Sequence, residues 1–261
     1  MMRALSIAST GLGSQQLSVE VIANNLANVS TVGFKKSRGE FQDLMYQTLK
    51  SAGTTTATGT LPVGIQLGSG VIPVSVHRTF AQGDFQQTQN PFDLAIEGDG
   101  FFQVTLPDGS TGYSRAGSLS LDSEGSIVTA EGYPLLPNVT IPSGAQTVTI
   151  LPTGVISAVV ATGGAPQLVG TLELARFTNP AGLHSMGKNL YQATDASGEA
   201  VTGAPGQEGF GTVQQGSLEG SNVNIAEEMV NMIVAQRAYE LNSKAIQTTD
   251  EMLSMVNNLK R

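Results

Sequence analysis

Residues 182–189 (GLHSMGKN) come within one residue of a phosphate-binding loop, in which backbone amides and a lysine hold phosphate oxygens. That motif continues with a Ser or Thr that binds Mg²⁺, whereas this chain has Asn189 at the position. An amphipathic helix should then follow, but Leu190 to Thr194 have the composition of an extended segment. We therefore expect no phosphate binding here.

Acidic residues offer a second possible chemistry, the binding of a hard cation. Asp93, Glu97 and Asp99 lie close together in the sequence and carry the oxygen ligands that calcium prefers. Their spacing does not match a calcium-binding loop, and residues 98–100 (GDG) are typical of a turn. We expect a turn here and no metal site.

The residue types needed for nucleophilic or acid–base catalysis are scarce. The chain has no Cys, only two His and no Gly-x-Ser-x-Gly motif. Adjacent carboxylates occur at Glu227–Glu228 and Asp250–Glu251, but neighbours on a helix do not face each other. The sequence therefore predicts a protein that is not an enzyme and needs no cofactor.

Charge and hydropathy limit the possible partners. The 261 residues carry a formal net charge of −8, and residues 51–221 hold 13 acidic residues against four basic ones. Such an acidic chain is unsuited to phosphate backbones, so we expect no nucleic acid as a partner. No apolar run approaches the roughly 18 residues that span a bilayer, and the N-terminus lacks the apolar block of a cleaved signal peptide. We expect neither membrane insertion nor a cleaved signal.

Proline and glycine indicate how the chain is organised. All 11 Pro lie between Pro62 and Pro205, and no Gly follows Gly220. Two ends that are poor in these structure-breaking residues therefore flank a middle that is rich in them, which predicts an α+β fold. Long N- and C-terminal helices would form a coiled-coil-like stalk, with a β-rich middle domain inserted between them. The predicted domains are residues 1–36 with 222–261 (terminal helices), 37–70 (linker or extended segment) and 71–221 (β-rich).

The N-terminal segment has the heptad spacing of a coiled coil, with one polar interruption at Gln15. We expect about 29 helical residues, ended by Gly33 in the left-handed conformation. The seam consists of Leu5, Ala8, Leu12, Gln15, Val19, Ile22, Leu26 and Val29.

The C-terminal segment repeats this pattern after Asn224, which with Glu227 resembles a capping box. Additional apolar positions, among them Met229 and Ile233, make the stripe too wide for one partner helix. The two helices either pair within one chain or pack with copies of themselves, and this width favours the second arrangement. The seam consists of Ile225, Met232, Ala235, Tyr239, Asn242, Ile246, Thr249, Leu253 and Val256.

The middle of the chain has strand and turn signals. Residues 71–76, 101–106 and 171–174 have strand composition, and residues 107–110 and 122–125 are typical of hairpin turns. Residues 51–60 have no apolar periodicity and by themselves predict a flexible linker.

Three long motifs lie near the ends of the chain, at residues 23–35 (ANNLANVSTVGFK), 221–230 (SNVNIAEEMV) and 236–244 (QRAYELNSK). These motifs resemble the terminal signatures of the bacterial flagellar rod and hook protein family. The middle agrees at residues 92–102 (FDLAIEGDGFF) and 177–183 (FTNPAGL). The resemblance therefore covers essentially the whole chain, and its length and residues 51–63 make it most similar to the distal-rod members. Proximal-rod and hook members are alternatives, and a secreted adhesin or a peptidoglycan-cleaving enzyme are hypotheses from other classes.

The resemblance implies a self-assembling structural protein, exported without a cleaved signal, that forms the tubular distal rod across the periplasm. Such a rod transmits torque from motor to hook and leaves a channel for export. Its implied partners are copies of the same chain, proximal rod proteins, the hook protein, the surrounding bushing rings and the rod cap. In this family an insertion such as residues 51–63 is associated with a straight rod.

The resemblance also implies which residues contact other copies. Lys35, Lys36 and Arg38 would meet the acidic middle domain of a neighbour, although the bases are first of all typical of a solvated loop. The helical seams would build the tube wall, with three asparagines setting the register or simply ending the helix. The predicted interface residues are Leu5, Leu12, Val19, Ile22, Asn24, Asn25, Leu26, Asn28, Val29, Gly33, Ile225, Met229, Met232, Tyr239, Asn242, Ile246, Leu253 and Val256.

Overall fold

The computed structural model describes residues 2–53, 55–56, 59–60, 62–160 and 165–258. Two long helices lie at the ends of the chain, α1 (Met2–Ala27) and α2 (Ile225–Asn258). Helix α1 has 26 residues and α2 has 34, which at 1.5 Å per residue makes them about 39 and 51 Å long. The helices pack on each other, and the chain between them is β-rich, which confirms the predicted α+β fold.

The chain forms two compact units. The helical unit comprises the described parts of residues 1–27, 37–77 and 224–261. The β unit comprises residues 28–36 and the described parts of residues 78–223. The domain limits that the sequence suggested, after residues 36, 70 and 221, stay a prediction.

The ends of the two helices follow from local hydrogen bonds. The Asn224 side chain accepts from the backbone N–H groups of Ala226 (3.0 Å) and Glu227 (3.3 Å), which confirms Asn224 as the predicted N-cap of α2. Helix α1 ends at Ala27, earlier than the heptad pattern indicated. The next residues form a turn in which the Thr31 N–H donates to the Asn28 carbonyl at 3.1 Å.

The first part of the chain after α1 forms six short strands. They are β1 (Ser37–Asp43), β2 (Gln47–Lys50), β3 (Thr55–Thr56), β4 (Gly59–Thr60), β5 (Ile65–Leu67) and β6 (Val71–Arg78). They pair into two-stranded sheets, β2 with β5, β3 with β4 and β1 with β6, and β1 also contacts α1. Residues 54, 57, 58 and 61 of the predicted insertion lie outside the described residues.

The β unit contains the remaining strands. They are β7 (Phe85–Gln87), β8 (Leu94–Glu97), β9 (Phe101–Thr105), β10 (Thr111–Ser114), β11 (Leu119–Leu121), β12 (Ile127–Thr129), β13 (Leu135–Leu136), β14 (Thr147–Ile150), β15 (Val155–Val159), β16 (Gln167–Thr171), β17 (Leu174–Arg176), β18 (His184–Gly187), β19 (Leu190–Gln192), β20 (Val201–Gly203), β21 (Thr212–Gln215) and β22 (Ser217–Glu219). A 3₁₀ turn spans Pro180–Gly182.

The largest sheet has the strand order β18–β19–β10–β9–β17–β20, with β13 also paired to β9. A three-stranded sheet, β14–β15–β16, and the ribbons β11–β12, β8–β21 and β7–β22 complete the unit. The predicted strands at 71–76 and 101–106 and both predicted hairpin turns are present. The predicted strand at 171–174 is wrong. There β16 ends at Thr171 and β17 begins at Leu174, because the chain changes sheets between them. Thr171 pairs with Val155 of β15, whereas Leu174 pairs with Phe102 of β9.

The hydrophobic core of the β unit has two parts. One is a mainly aliphatic cluster that includes Leu94, Ile96, Phe102, Val104, Ile156, Leu172 and Leu174, all essentially inaccessible to water. The other is an aromatic cluster in which Phe80, Phe101, Tyr113, Phe177 and Tyr191 meet edge to face.

Candidate assembly surfaces and two buried polar networks

The α1–α2 seam runs antiparallel. Asn25, near the end of α1, bonds Glu228 in the first turn of α2, and a Cβ on Gly11 would stand 3.0 Å from the Asn242 amide nitrogen. Partly buried positions lie along this seam, in keeping with the heptad pattern. They are Leu5, Leu12, Val19, Ile22 and Leu26 of α1 and Met232, Asn242, Ile246 and Leu253 of α2.

Other predicted interface residues of α2 are not covered by α1. Ile225, Met229, Tyr239 and Val256 are 43–53% exposed. They belong to a wider exposed apolar face of the helix. Its remaining members are Val230, Ile233, Val234, Leu241, Met252 and Met255, all at least 43% exposed. Exposed apolar residues grouped in this way mark an interaction surface.

A groove between the two helices adjoins this face. Its volume is about 350 Å³, and it is lined by Gln16, Val19, Gln236, Tyr239 and Glu240. A second exposed apolar row in the same unit lies on β6, where Ile72, Val74 and Val76 alternate and are 44–57% exposed. Alternate residues of a strand share one face, so this row forms a second exposed apolar surface of the unit.

Asn25 lies in a buried polar network of the helical unit. Its side chain donates to the Ser37 carbonyl (2.8 Å) and accepts from the Ser37 N–H (2.9 Å), so it binds both backbone polar groups of one residue. It also donates to the carboxylate of Glu228 at 3.3 Å. Asn25 is 2% exposed and Glu228 5% exposed. The contacts of Asn25 within its own chain give it a positioning role that does not require a second copy.

A second buried network, which we call the clasp, lies in the β unit around Glu219. One carboxylate oxygen accepts from the Lys35 ammonium (2.6 Å) and from the Gly83 N–H (3.0 Å), and the other accepts from Arg115 Nε (2.6 Å). The guanidinium of Arg115 also donates to the carbonyls of Gly100, Ile96 and Gly98. Glu219 and Lys35 are each 1% exposed. The network therefore holds two cations and one anion away from water.

Burial and charge act in opposite directions on the clasp. Burial raises the pKa of the Glu219 carboxyl, but the Arg115 charge and the hydrogen bonds from Lys35, Arg115 and Gly83 outweigh it, so that pKa lies below its ordinary 4.5. Burial lowers the pKa of the Lys35 ammonium from its ordinary 10.5, against the opposing effect of Glu219. Glu219 is therefore ionised at neutral pH.

Asn222 extends the clasp to neighbouring backbone. Its side chain accepts from the Lys36 N–H at 2.7 Å and donates to the carbonyls of Thr79 (2.9 Å) and Ala81 (3.0 Å). The Lys35 ammonium also donates to the Ala81 carbonyl at 2.8 Å. Three segments of the β unit, residues 33–36, 79–83 and 219–222, are thus bonded together.

The clasp overturns the prediction for Lys35. The sequence suggested a solvated base that meets a neighbouring copy, but the ammonium is paired inside its own chain. Arg38 is the exposed base of this segment, with 75% of its side chain in water and Glu40 at 3.5 Å. Lys35 and Glu219 are 184 residues apart in sequence, so spacing alone gave no signal for this pair.

Four predicted interface residues remain. Asn24 is exposed on α1, whereas Asn28, Val29 and Gly33 lie in the β unit. Gly33 has φ +68° and donates its N–H to the Glu219 carbonyl at 2.8 Å. A Cβ there would stand 2.8 Å from the Ala116 backbone nitrogen. As contacts with other copies, all of these residues stay predictions.

The segments that resembled chemical motifs have structural explanations. Residues 184–192 form the hairpin β18–β19, whose two turn residues, Lys188 and Asn189, both have positive φ near 60°. Lys188 pairs with Glu131 at 2.7 Å on the surface. Asp93 accepts hydrogen bonds from Thr88 (2.7 Å) and Asn90 (2.9 Å). Across the described residues, no group of three or more His, Asp or Glu side chains is arranged to hold a metal ion.

Comparisons with known proteins give one consistent family. Three family models match, described as flagella basal body rod protein (residues 5–35), flagellar hook protein FlgE/F/G D1 domain (95–158) and flagellar basal body rod FlgEFG protein C-terminal (214–259). The chain is 52% identical to the flagellar basal-body rod protein FlgG of Borreliella burgdorferi, over the full length of both. It is 46% identical to FlgG of Caulobacter vibrioides over 99% of this chain and all of the relative, and 42% identical to FlgG of Bacillus subtilis over both full lengths. Within the described residues, none of the helices has the length and hydropathy to cross a membrane.

Proposed function

Because this chain belongs to the flagellar basal-body rod protein family, as a non-enzymatic structural protein of the distal rod, we propose that its copies assemble through the exposed apolar face of α2. The observation that supports this most directly is the exposure of that face in the single chain. Val230, Val234 and Leu241 are 60–68% exposed, although they lie on an ordered helix already packed on one side.

Burial of this face is a sufficient driving force for assembly. Each large apolar side chain that becomes fully buried contributes about 1.5–3 kcal/mol, and the face repeats in every added copy. A tube that grows at its end requires head-to-tail contacts that do not close into a ring. Helix α2 suits such contacts because its two apolar sides differ, one facing α1 and the other exposed.

The predicted seam residues divide into two roles in this proposal. Met232, Asn242, Ile246 and Leu253 of α2 stabilise the helix pair of one chain. Ile225, Met229, Tyr239 and Val256 contact neighbouring copies. On α1, Leu5, Leu12, Val19, Ile22 and Leu26 belong to the first group.

We also propose the partners that the family implies. Proximal rod proteins and the hook protein would contact the two ends of the rod, the bushing rings would surround it, and the rod cap would guide its growth. The assembled rod would transmit torque to the hook and enclose the export channel. We expect a continuous tube because every copy of the chain presents the same apolar helix face to the next copy.

The proposal can be tested by electron cryomicroscopy of purified rods. The rods come from cells in which this chain is the only distal rod protein. We expect Val234 and Leu241 to be buried between copies, while the surface pair Lys188–Glu131 serves as an internal reference for exposure. A rod in which the α2 face remains in contact with water would contradict the proposed surface. Cells that build a distal rod without this chain would contradict the proposed function.

A further inference from the structure

The exposed apolar face of α2 carries three of the eight methionines of the chain. Met229, Met252 and Met255 are 52%, 43% and 58% exposed, respectively. With about 3.6 residues per turn, all three lie roughly 100° or more around the helix axis from Ala235, the buried residue on the side of α1. Their side chains therefore point away from the helix pair, and their sulfur atoms are open to water.

Methionine sulfur is the most easily oxidised group of this chain, because the chain has no Cys. Hydrogen peroxide converts the thioether to a sulfoxide. A sulfur lone pair attacks one peroxide oxygen, a sulfur–oxygen bond forms as the oxygen–oxygen bond breaks, and the second oxygen leaves as water after proton transfer. The sulfur loses two electrons and the peroxide gains them. A flexible apolar side chain thereby becomes a polar one.

The neighbours of these methionines along α2 are apolar as well. Ile233 lies four residues after Met229, and Val256 lies four residues after Met252, so each pair shares one side of the helix. Ile233 is 55% and Val256 53% exposed. Aliphatic side chains offer no hydrogen-bond donor. A sulfoxide oxygen among them is hydrated in the single chain, but it loses that water without a replacement when a second copy covers the face.

We infer that Met229, Met252 and Met255 form an oxidation site through which peroxide blocks assembly of the chain, and that reduction of the sulfoxides restores assembly. This inference rests on the proposed function, in which the exposed face of α2 is buried between copies. Burial between copies also shields the three sulfur atoms from the oxidant. Oxidation therefore acts on the supply of new copies and spares the rod that is already built.

The test measures how the purified full chain adds to purified rods before and after treatment with hydrogen peroxide. Peptide mass spectrometry identifies the methionines that have gained an oxygen atom, and sedimentation gives the lowest concentration of chain at which the rods grow. We expect each sulfoxide on the face to raise that concentration about tenfold or more, the effect of one buried polar group without a partner. Treatment with the two methionine sulfoxide reductases, one for each epimer, should return it to the untreated value.

Two variants separate this site from the other exposed methionines. The triple variant Met229→Leu, Met252→Leu and Met255→Leu keeps the face apolar and its volume nearly the same, so it should add to rods like the parent and continue to do so after peroxide. The control is Met45→Leu with Met186→Leu, which removes two sulfur atoms outside α2, at positions 88% and 47% exposed. The control variant should remain as sensitive to peroxide as the parent.

The outcomes distinguish the oxidation site from the proposed function. An oxidised parent chain that adds to rods at the untreated concentration would overturn the inference, and so would equal sensitivity of the triple variant. A block that the reductases do not reverse would also overturn it. If the untreated parent chain does not add to rods at all, the proposed function itself fails, and the inference fails with it.

Discussion

Glu219 is an ionised carboxylate to which water has almost no access, and two cations share it. Such networks often contribute little net stability, because desolvation of the charges offsets their attraction. Their removal is nevertheless costly when it leaves a charge behind without its partner. The network therefore specifies which segments meet at this place in the β unit, more than it adds to the free energy of folding.

Glu219→Gln should destabilise the β unit strongly. The variant keeps the size of the side chain but leaves Lys35 and Arg115 buried without their counter-charge, which costs about 3–5 kcal/mol. Urea unfolding of the full chain measures the change. The control is Glu131→Gln, which breaks the exposed pair with Lys188 and should cost less than about 1 kcal/mol. Equal losses of unfolding free energy in the two variants would contradict the claim that Lys35 and Arg115 need Glu219 as their counter-charge.

The stability that Glu219 contributes should disappear in acid. Its pKa in the folded chain lies below 4.5, so the unfolded chain takes up the proton first as the pH falls. The contribution is fully present above the unfolded pKa and is lost as the pH falls through the folded pKa. The free-energy gap between the parent and Glu219→Gln should be constant above about pH 5 and shrink below it. A gap that widens in acid would contradict this assignment.

Gly33→Ala should destabilise the folded chain by more than its left-handed backbone angle alone accounts for. A left-handed φ costs a residue with a side chain about 1–2 kcal/mol, and the new methyl group would also meet the Ala116 and Arg115 backbone at 2.8 Å. Gly109→Ala is the matched control, because Gly109 has φ +80° and open space around it. Thermal unfolding should show a larger loss for Gly33→Ala. An equal loss of stability in both variants would mean that the Ala116 and Arg115 backbone moves away from the new methyl group at no cost.

At the scale of elements, α2 shows how one helix serves two surfaces. On the side that faces α1, Ala235 is buried but the larger Ile246 and Leu253 are only partly covered. The apolar residues on the other side are open to water. A helix with so many apolar positions around its circumference needs partners on several sides. Within the single chain, α1 supplies one of them.

Val234→Asp should block assembly without damage to the single chain. Val234 is 62% exposed, so a carboxylate there costs little in the monomer but is desolvated between copies. Val234→Ala keeps the position apolar and uncharged and is the control. Electron microscopy of basal bodies should show rods for Val234→Ala only, while circular dichroism shows the same fold for both monomers. Rods formed by Val234→Asp would exclude this face as the assembly surface.

The elements were predictable to the extent that local chemistry decides them. The heptad spacing predicted both helices, the Asn224 cap predicted the start of α2, and the Gly-containing turns predicted two hairpins. The end of α1 was not predictable, because Val29 continues the heptad pattern although the chain turns at Asn28. Residues 171–174 look like one strand, but the chain changes sheets there, which divides them between β16 and β17.

The polar networks were not predictable from spacing. Lys35 next to Lys36 is typical of a solvated loop, and only the fold brings Glu219 and Arg115 to it. Asn25 was singled out as a residue that sets register, but its partners Ser37 and Glu228 come from separate parts of the chain. Both asparagines that matter, Asn25 and Asn222, fall within the segments that resemble the family. That resemblance therefore marked the correct places without giving the contacts made there.

At the scale of the whole molecule, the apolar core is unevenly distributed. In the helical unit, the fully buried apolar side chains among the described residues are Ala8 and Ala235. The β unit buries its aliphatic and aromatic clusters almost completely. Helices gain most of their stability in proteins from tertiary packing, so two helices with such small buried side chains depend on further partners.

Hydrogen exchange should therefore separate the two units in the monomer. In a verified monomer, we expect the amides of α1 and α2 to exchange far faster than those of β9, β10 and β17, because local opening costs little where few apolar contacts are lost. In the assembled rod, the same helical amides should become protected, while those of the three strands change little and serve as the internal control. Limited proteolysis of the monomer should leave a core of roughly residues 70–220, with residues 28–36 still bound to it through the clasp. Strong protection of residues 5–29 in the monomer would mean that the helix pair is stable alone, and that assembly adds contacts to it without being needed to fold it.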